Sequence, residues 1–233
     1  MKAAILCAGF GKRLKNTSIQ KSFLIFKNEK LIDRHIRLLR KAKIKKIYII
    51  LRKRNTELYN YLKTKYRDLI LIKFNSKNAL DSTLSLKKYT KKNEKILVIN
   101  IDAIYSRMDL KYFLKRFRLV SFDMCLWVSK INTKYNVDPA YTKILQKKII
   151  SYGKKIPKEN YVFGQVRICS NRILKLKDIL VKNKRFKMDK YINFLIRHKY
   201  KVKIYLTKKN TFDIDTLGEA LKINKYLINN ENF

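Results

Sequence analysis

The residues best suited to chemistry lie at three separated places in the chain. Near its start, the apolar run AILCAG opens into Gly9-Phe10-Gly11, followed by Lys12, Arg13 and, eight positions later, Lys21. Glycines after a strand let backbone N–H groups approach an anion closely. Arg13 and Lys21 add charge-assisted donors suited to a polyphosphate. The spacing is neither GxxxxGK-S/T nor a complete GxGxxG, which argues against the usual kinase and dehydrogenase loops. Asp102 ends the apolar run LVINID, where a carboxylate needs a partner. The segment FDIDT sets Asp213 and Asp215 two residues apart, on one face of a strand end. Two carboxylates on one rim suit an octahedral Mg²⁺, which takes one or two carboxylates together with phosphate and water. Plainer roles exist for the same residues: Asp102 as a helix cap or lysine partner, Asp215 as a cap beside Thr216.

Positioning these groups requires a scaffold, and the apolar periodicity supplies one. Buried strands are expected at 2–6, 46–51, 69–74 and 95–100, with helices at 32–43, 56–66 and 82–89 between them. This alternation predicts an α/β fold, a Rossmann-like and mostly parallel sheet with helices on both faces. Ligands of such sheets sit beyond the carboxyl ends of the strands, which is where the glycine loop and Asp102 fall. Short strands at 124–128, 142–145 and 148–152 predict a small antiparallel excursion in the second half, a cover segment of about 121–165. A helix at 188–198, a strand at 202–206 and a helix from Leu217 close a single domain spanning 1–233. With five glycines and two prolines, the chain has no low-complexity linker to divide it.

Composition narrows the function classes. At 46% hydrophobic the chain can bury a substantial core. No apolar run is long enough to span a membrane, and the N-terminus lacks a signal-peptide pattern, so a cytoplasmic location is expected. Cys7, Cys125 and Cys169 stand apart in apolar contexts and read as buried free thiols. Fifty-seven Lys and Arg against seventeen Asp and Glu give a formal charge of +40, which points to an anionic ligand. Lysine is spread along the whole chain beside abundant Ile, Asn, Tyr and Phe, as a composition-wide bias would spread it. A nucleic-acid-binding basic protein is the rival reading.

Taken together, the motifs resemble the nucleotidyltransferase superfamily, enzymes with a MobA-like NTP transferase fold that join a nucleoside triphosphate to a phosphorylated small molecule. ILCAGFGKRLKNTSIQKSFLIFKNEKLIDRHI is similar to that family's opening, NALDSTLSLKKY to its base-contacting segment, and LVINIDAIYS to the strand bearing its metal-binding aspartate. VDPAYTKILQKKIISYGKKI followed by FGQVRI, and TFDIDTLGEALKINKYL, resemble its later blocks. The order holds across nearly the whole chain. The later blocks look most like the branch acting on phosphocholine, inositol phosphate or sugar 1-phosphates, often with CTP.

The resemblance implies roles. Arg13 and Lys21 would be catalytic, and Leu6, Ala8, Gly9, Gly11, Lys12 and Ser82 would bind the nucleotide. Asp102 and Asp215 would hold Mg²⁺, and Lys143 and Lys154 would take the acceptor's phosphate. Trp127, Tyr135, Tyr141, Tyr152 and Tyr161 are candidates for an aromatic cage around a quaternary ammonium, with core packing the alternative. Departures from the family pattern are Gln20 before the signature lysine, Ile101 before the aspartate, Ala140 for a glutamate, and Leu217-Gly218 for proline-glutamate. A molybdopterin-type guanylyltransferase, a methylerythritol-phosphate cytidylyltransferase and an inactive relative are the alternatives within the family.

Overall fold

The computed structural model describes residues 1–9, 20–132, 140–154, 161–176, 186–207, 209 and 211–230. Near-continuous Ile, Leu and Val make strands that are buried on both faces, as a parallel sheet requires. Such runs form β1 (Lys2–Cys7) and β4 (Lys46–Leu51); between them lie a two-stranded ribbon, β2 (Ile25–Phe26) and β3 (Glu29–Lys30), and helix α1 (Leu31–Lys41). Helix α2 (Thr56–Lys65), β5 (Ile70–Lys73), helix α3 (Ala79–Ser85) and β6 (Lys95–Asn100) follow. Then come β7 (Ala103–Ile104), helix α4 (Arg107–Phe117), β8 (Met124–Lys130), β9 (Tyr141–Leu145) and β10 (Lys148–Gly153). The chain continues through β11 (Tyr161–Ser170), α5 (Asn171–Leu174), α6 (Met188–Arg197), β12 (Val202–Leu206), β13 (Phe212–Asp213) and α7 (Leu217–Ile228). Side-chain caps fix the helix starts: Asn55, Asn78 and Ser106 each accept an N–H of the first turn, and Thr216 with Glu219 forms a capping box.

The main sheet runs β10-β9-β11-β6-β1-β4-β5, with β8 paired to β11 and β12 paired to β8. The strands β6, β1, β4 and β5 are parallel, as the alternation predicts. β11 runs antiparallel to β6 and β8, and the β9–β10 hairpin forms the antiparallel excursion. The longest elements absent from the sequence-based expectations are α4 and β11, and the short β2, β3, β7 and α5 are absent from them too. Helix 82–89 proves to be α3, starting at Ala79, followed by a 3-10 turn over Leu86–Tyr89.

The sheet divides the core. On one face, α1 and α4 pack with Phe113, Trp127 and Tyr105; on the other, Leu80, Leu84, Tyr191 and Leu195 pack against Val98 and Leu126. Cys7, Cys125 and Cys169 are buried and free, as expected. No helix among the described residues is long and apolar enough to cross a membrane.

Candidate active site

Register brings the first two motifs together. β1 and β6 pair in parallel with Leu6 opposite Asn100, and the Ile101 N–H donates to the Leu6 carbonyl at 3.3 Å. Ala8 and Asp102 therefore leave the sheet side by side. The third motif arrives through a two-stranded ribbon: β13 pairs with β7, setting Asp213 opposite Ala103, and the Ile214 N–H donates to the Asp102 carbonyl at 3.1 Å. A carboxylate oxygen from each of Asp102, Asp213 and Asp215 lies within 4.8 Å of the other two.

Lys21 enters from a 3-10 turn over Lys21–Phe23. Gln20, which stands where the family pattern has proline, fixes that turn by hydrogen bonds. Its amide donates to Glu57 at 2.6 Å and accepts from Asn55 at 2.8 Å, tying it to the start of α2. The Lys21 ammonium lies 3.0 Å from Asp102 Oδ2 and 3.4 Å from Asp215 Oδ1, and it also donates to the Ile214 carbonyl. Burial pulls its pKa down, but Asp102, Asp213 and Asp215 together outweigh that and hold it above the ordinary lysine value. Asp213 is pushed well above the usual carboxylate range, by burial first and then by repulsion from Asp102 and Asp215. Lys21 and a hydrogen bond from Gln165 (3.1 Å) act against that rise.

Two oxygens in this cluster, Asp102 Oδ1 and Asp213 Oδ1, are buried without a hydrogen-bond partner. Buried carboxylate oxygens are costly unless something compensates them. Three hard oxygen donors with two unpartnered atoms fit a divalent cation such as Mg²⁺. Beside them opens a cavity of about 260 Å³, lined by Ala79, Asn100, Ala140, Tyr152, Lys154, Gln165, Arg167, Met188, Asp213 and Asp215.

Other sequence-predicted residues have varied positions. Gly11, Lys12, Arg13 and Tyr135 lie outside the described residues. Ala8 is buried and its carbonyl accepts from Arg52 at 3.4 Å, Leu6 is committed to the sheet, and Gly9 is exposed just beyond β1. Ser82 is buried, its hydroxyl turned to the Asn78 carbonyl at 3.4 Å within its own helix. Lys154 lines the cavity, whereas Lys143 is exposed on β9 opposite Ser151 and does not line it. Trp127 is wholly buried between Tyr105, Phe113 and Tyr205, a core residue. Tyr152 is the aromatic candidate that does reach the cavity.

Sequence reasoning missed Asn100, Gln165 and Arg167. Gln165 adopts φ 59°, where β11 shifts register against β8 between Phe163 and Arg167, a bulge that re-aims its side chain. The only signal for this in the sequence was Gly164 breaking an apolar run. A second cavity, of about 520 Å³, lies between α1 and α2. Its Asp33 carboxylate accepts from Tyr61 (2.5 Å), Tyr66 (2.7 Å) and Lys65 (2.7 Å), so it is a closed structural cluster.

Residues 3–150 match the family model of the MobA-like NTP transferase domain. The chain belongs to this family. Among solved structures it resembles the inositol-1-phosphate CTP transferase from T. maritima, with a TM-score of 0.84 and 17% identity over 97% of this chain and 94% of that one. It also resembles a protein from Bacillus anthracis named as a glucose-1-phosphate thymidylyltransferase (TM-score 0.86, 17% identity, covering 100% and 97%). HddC from Yersinia pseudotuberculosis follows at TM-score 0.77 and 19% identity, covering 97% and 99%. No functionally curated protein matches the sequence. At such identities the likeness establishes the nucleotidyltransferase-type fold over the full chain.

Proposed function

We propose that this MobA-like domain is a nucleotidyltransferase. It transfers a nucleoside monophosphate from a triphosphate to a phosphorylated small molecule, releasing pyrophosphate. The observation that carries the reading is the Lys21 ammonium set among Asp102, Asp213 and Asp215, beside a cavity at the carboxyl end of the sheet. A phosphate oxygen of the acceptor attacks the α-phosphorus. The bond to the β-phosphate oxygen breaks, and its electron pair leaves with pyrophosphate. No covalent enzyme intermediate is needed, so the protein's work is positioning and charge neutralisation.

Lys21 is held protonated, ready to donate to the α-phosphoryl oxygens as charge develops there. Arg13 is assigned to the leaving pyrophosphate, and Gly11 and Lys12 to the nucleotide. Asp102 and Asp215, with Asp213 adjacent, would hold Mg²⁺, which when bound supplies neutralisation of phosphate charge. Lys154 is the acceptor-side cation that borders the cavity. CTP is placed first among nucleotides, because the VDPAYTKIL and IDT blocks resemble the branch that often uses it. Phosphocholine, inositol phosphate and sugar 1-phosphates are the acceptors to match.

A nucleic-acid role would rest on charge alone, and three carboxylates at the loop rim would repel a phosphate backbone. The test is pyrophosphate release with each of four NTPs against the three acceptor classes, with Mg²⁺ present. One productive pair is expected; silence across the matrix would overturn the reading.

A further inference from the structure

Arg167 is 0% exposed, and among the described residues it forms no salt bridge, Asp102 attracting it only at longer range. A buried guanidinium without a contacting carboxylate is expensive, and its hydrogen bonds show where that cost is spent. Its Nη2 donates to Thr83 Oγ1 at 2.5 Å and its Nη1 to Asn100 Oδ1 at 3.1 Å. The Thr83 hydroxyl proton is committed to the Ala79 carbonyl at 2.7 Å, so its oxygen is left to accept. Asn100 in turn donates to Gln165 Oε1 at 2.6 Å, and Gln165 donates to Asp213 Oδ2 at 3.1 Å.

Each link has one polarity. A guanidinium has five donors and no acceptor, so the Asn100 amide must turn its oxygen toward Arg167. Its NH₂ then faces Gln165, whose oxygen must accept and whose NH₂ must point at Asp213. With no fixed donor at the far end, both amides could rotate and set the Gln165 carbonyl against a carboxylate. The left-handed backbone at Gln165 is the strain that places this side chain in line.

We propose that Arg167 is a positioning residue for the acidic cluster. Through Asn100 and Gln165 it delivers a donor to one oxygen of Asp213 and leaves the other, Oδ1, as a third carboxylate ligand beside Asp102 and Asp215. The cation part rests on the reading above. Outer groups that orient metal ligands typically change metal affinity 10- to 100-fold when removed.

The test compares Arg167→Lys, which keeps a cationic donor, with Arg167→Met, which does not. Mn²⁺ affinity is measured by electron paramagnetic resonance, and the Gln165 side-chain amide is followed by NMR without metal. Arg167→Met is expected to weaken Mn²⁺ at least tenfold and to shift the Gln165 amide signals. Arg167→Lys should retain affinity within about threefold of the wild type and keep those signals in place. If Arg167→Met does not fold, Gln165→Leu, which removes the last donor while leaving Arg167 its partners, should show the same loss of affinity. A folded Arg167→Met or Gln165→Leu that binds Mn²⁺ like the wild type overturns the proposal, as does equal loss in the Lys and Met variants. A wild type that binds no Mn²⁺ overturns the cation reading, while the Gln165 amide signals of the Lys and Met variants still decide whether Arg167 orients that side chain.

Discussion

The Lys21 ammonium sits 3.0 Å from Asp102 Oδ2, a contact between residues 81 apart in sequence. It neutralises part of a cluster of three carboxylates that would otherwise repel one another. Lysine and a bound cation would therefore compete for the same carboxylates, and the proposed reaction requires Lys21 to turn from them toward phosphate.

Lys21→Ala is expected to lower pyrophosphate release by roughly 100-fold or more, the scale for losing one positioned donor. It should at the same time raise Mn²⁺ affinity, because the competing ammonium is gone. Asp102→Asn should lower both. Steady-state kinetics and Mn²⁺ titration on the same preparations separate the two variants. Near wild-type pyrophosphate release in either one refutes the assigned roles.

Gly164 is needed for close packing. A Cβ there would stand 2.7 Å from Thr211 Oγ1 and 2.9 Å from Trp127 Cδ1. Thr211 is held by Ser129 at 2.7 Å and Trp127 by its aromatic neighbours, so neither can withdraw cheaply. Gly164→Ala should cost about 1–3 kcal/mol, read as a lower urea midpoint.

His35 gives a pH signature. Its Nε2 donates to the Ile101 carbonyl at 3.0 Å, which leaves Nδ1 to accept from the Tyr105 hydroxyl at 2.9 Å. Burial lowers its pKa to about 3, with the Ile101 bond opposing and Arg34 assisting. Between pH 6.5 and about 3 the unfolded chain binds a proton that the native state refuses. Stability thus falls with pH by up to about 1.4 kcal/mol per unit. The raised Asp213 acts in the opposite sense, because its native form gains the proton first. The comparison is therefore between the wild type and His35→Gln, whose urea midpoint should fall less steeply from pH 6.5 to 4.

The three thiols should be inert in the native protein. Burial raises all of them, Cys169 to about 11, so little thiolate exists at neutral pH. A disulfide reagent is expected to label them only upon unfolding; rapid native labelling of any would contradict the buried placement.

The parallel half of the fold was legible because its strands are continuous apolar runs and its helices repeat regularly. Asp102 was legible for the same reason, as a charge ending such a run. β11 was not: Gly164 and Gln165 interrupt its pattern at the bulge, and Arg167 in VRIC looks like a solvated charge in a chain so rich in lysine and arginine. The partners that let a guanidinium be buried there come from α3 and β6, which no local window shows. Helix α4 was overlooked although Ser106 caps it, since the five charged residues among its eleven look like a solvated segment in so basic a chain.

Among the described residues, the β9–β10 hairpin joins β11 through a single register pair, Val162 with Tyr141, and one further bond from the Phe163 N–H to the Ala140 carbonyl. It is held more firmly by α6, where Asn193 brackets Tyr152 with bonds of 3.0 and 2.7 Å. Ala140, Tyr152 and Lys154, with Met188 of α6, thus form one wall of the cavity, while Arg167 lies on β11 and the carboxylates follow β6 and the β7–β13 ribbon. The two walls can change at different rates in evolution: a hairpin can be remodelled for a new guest without disturbing the reactive side.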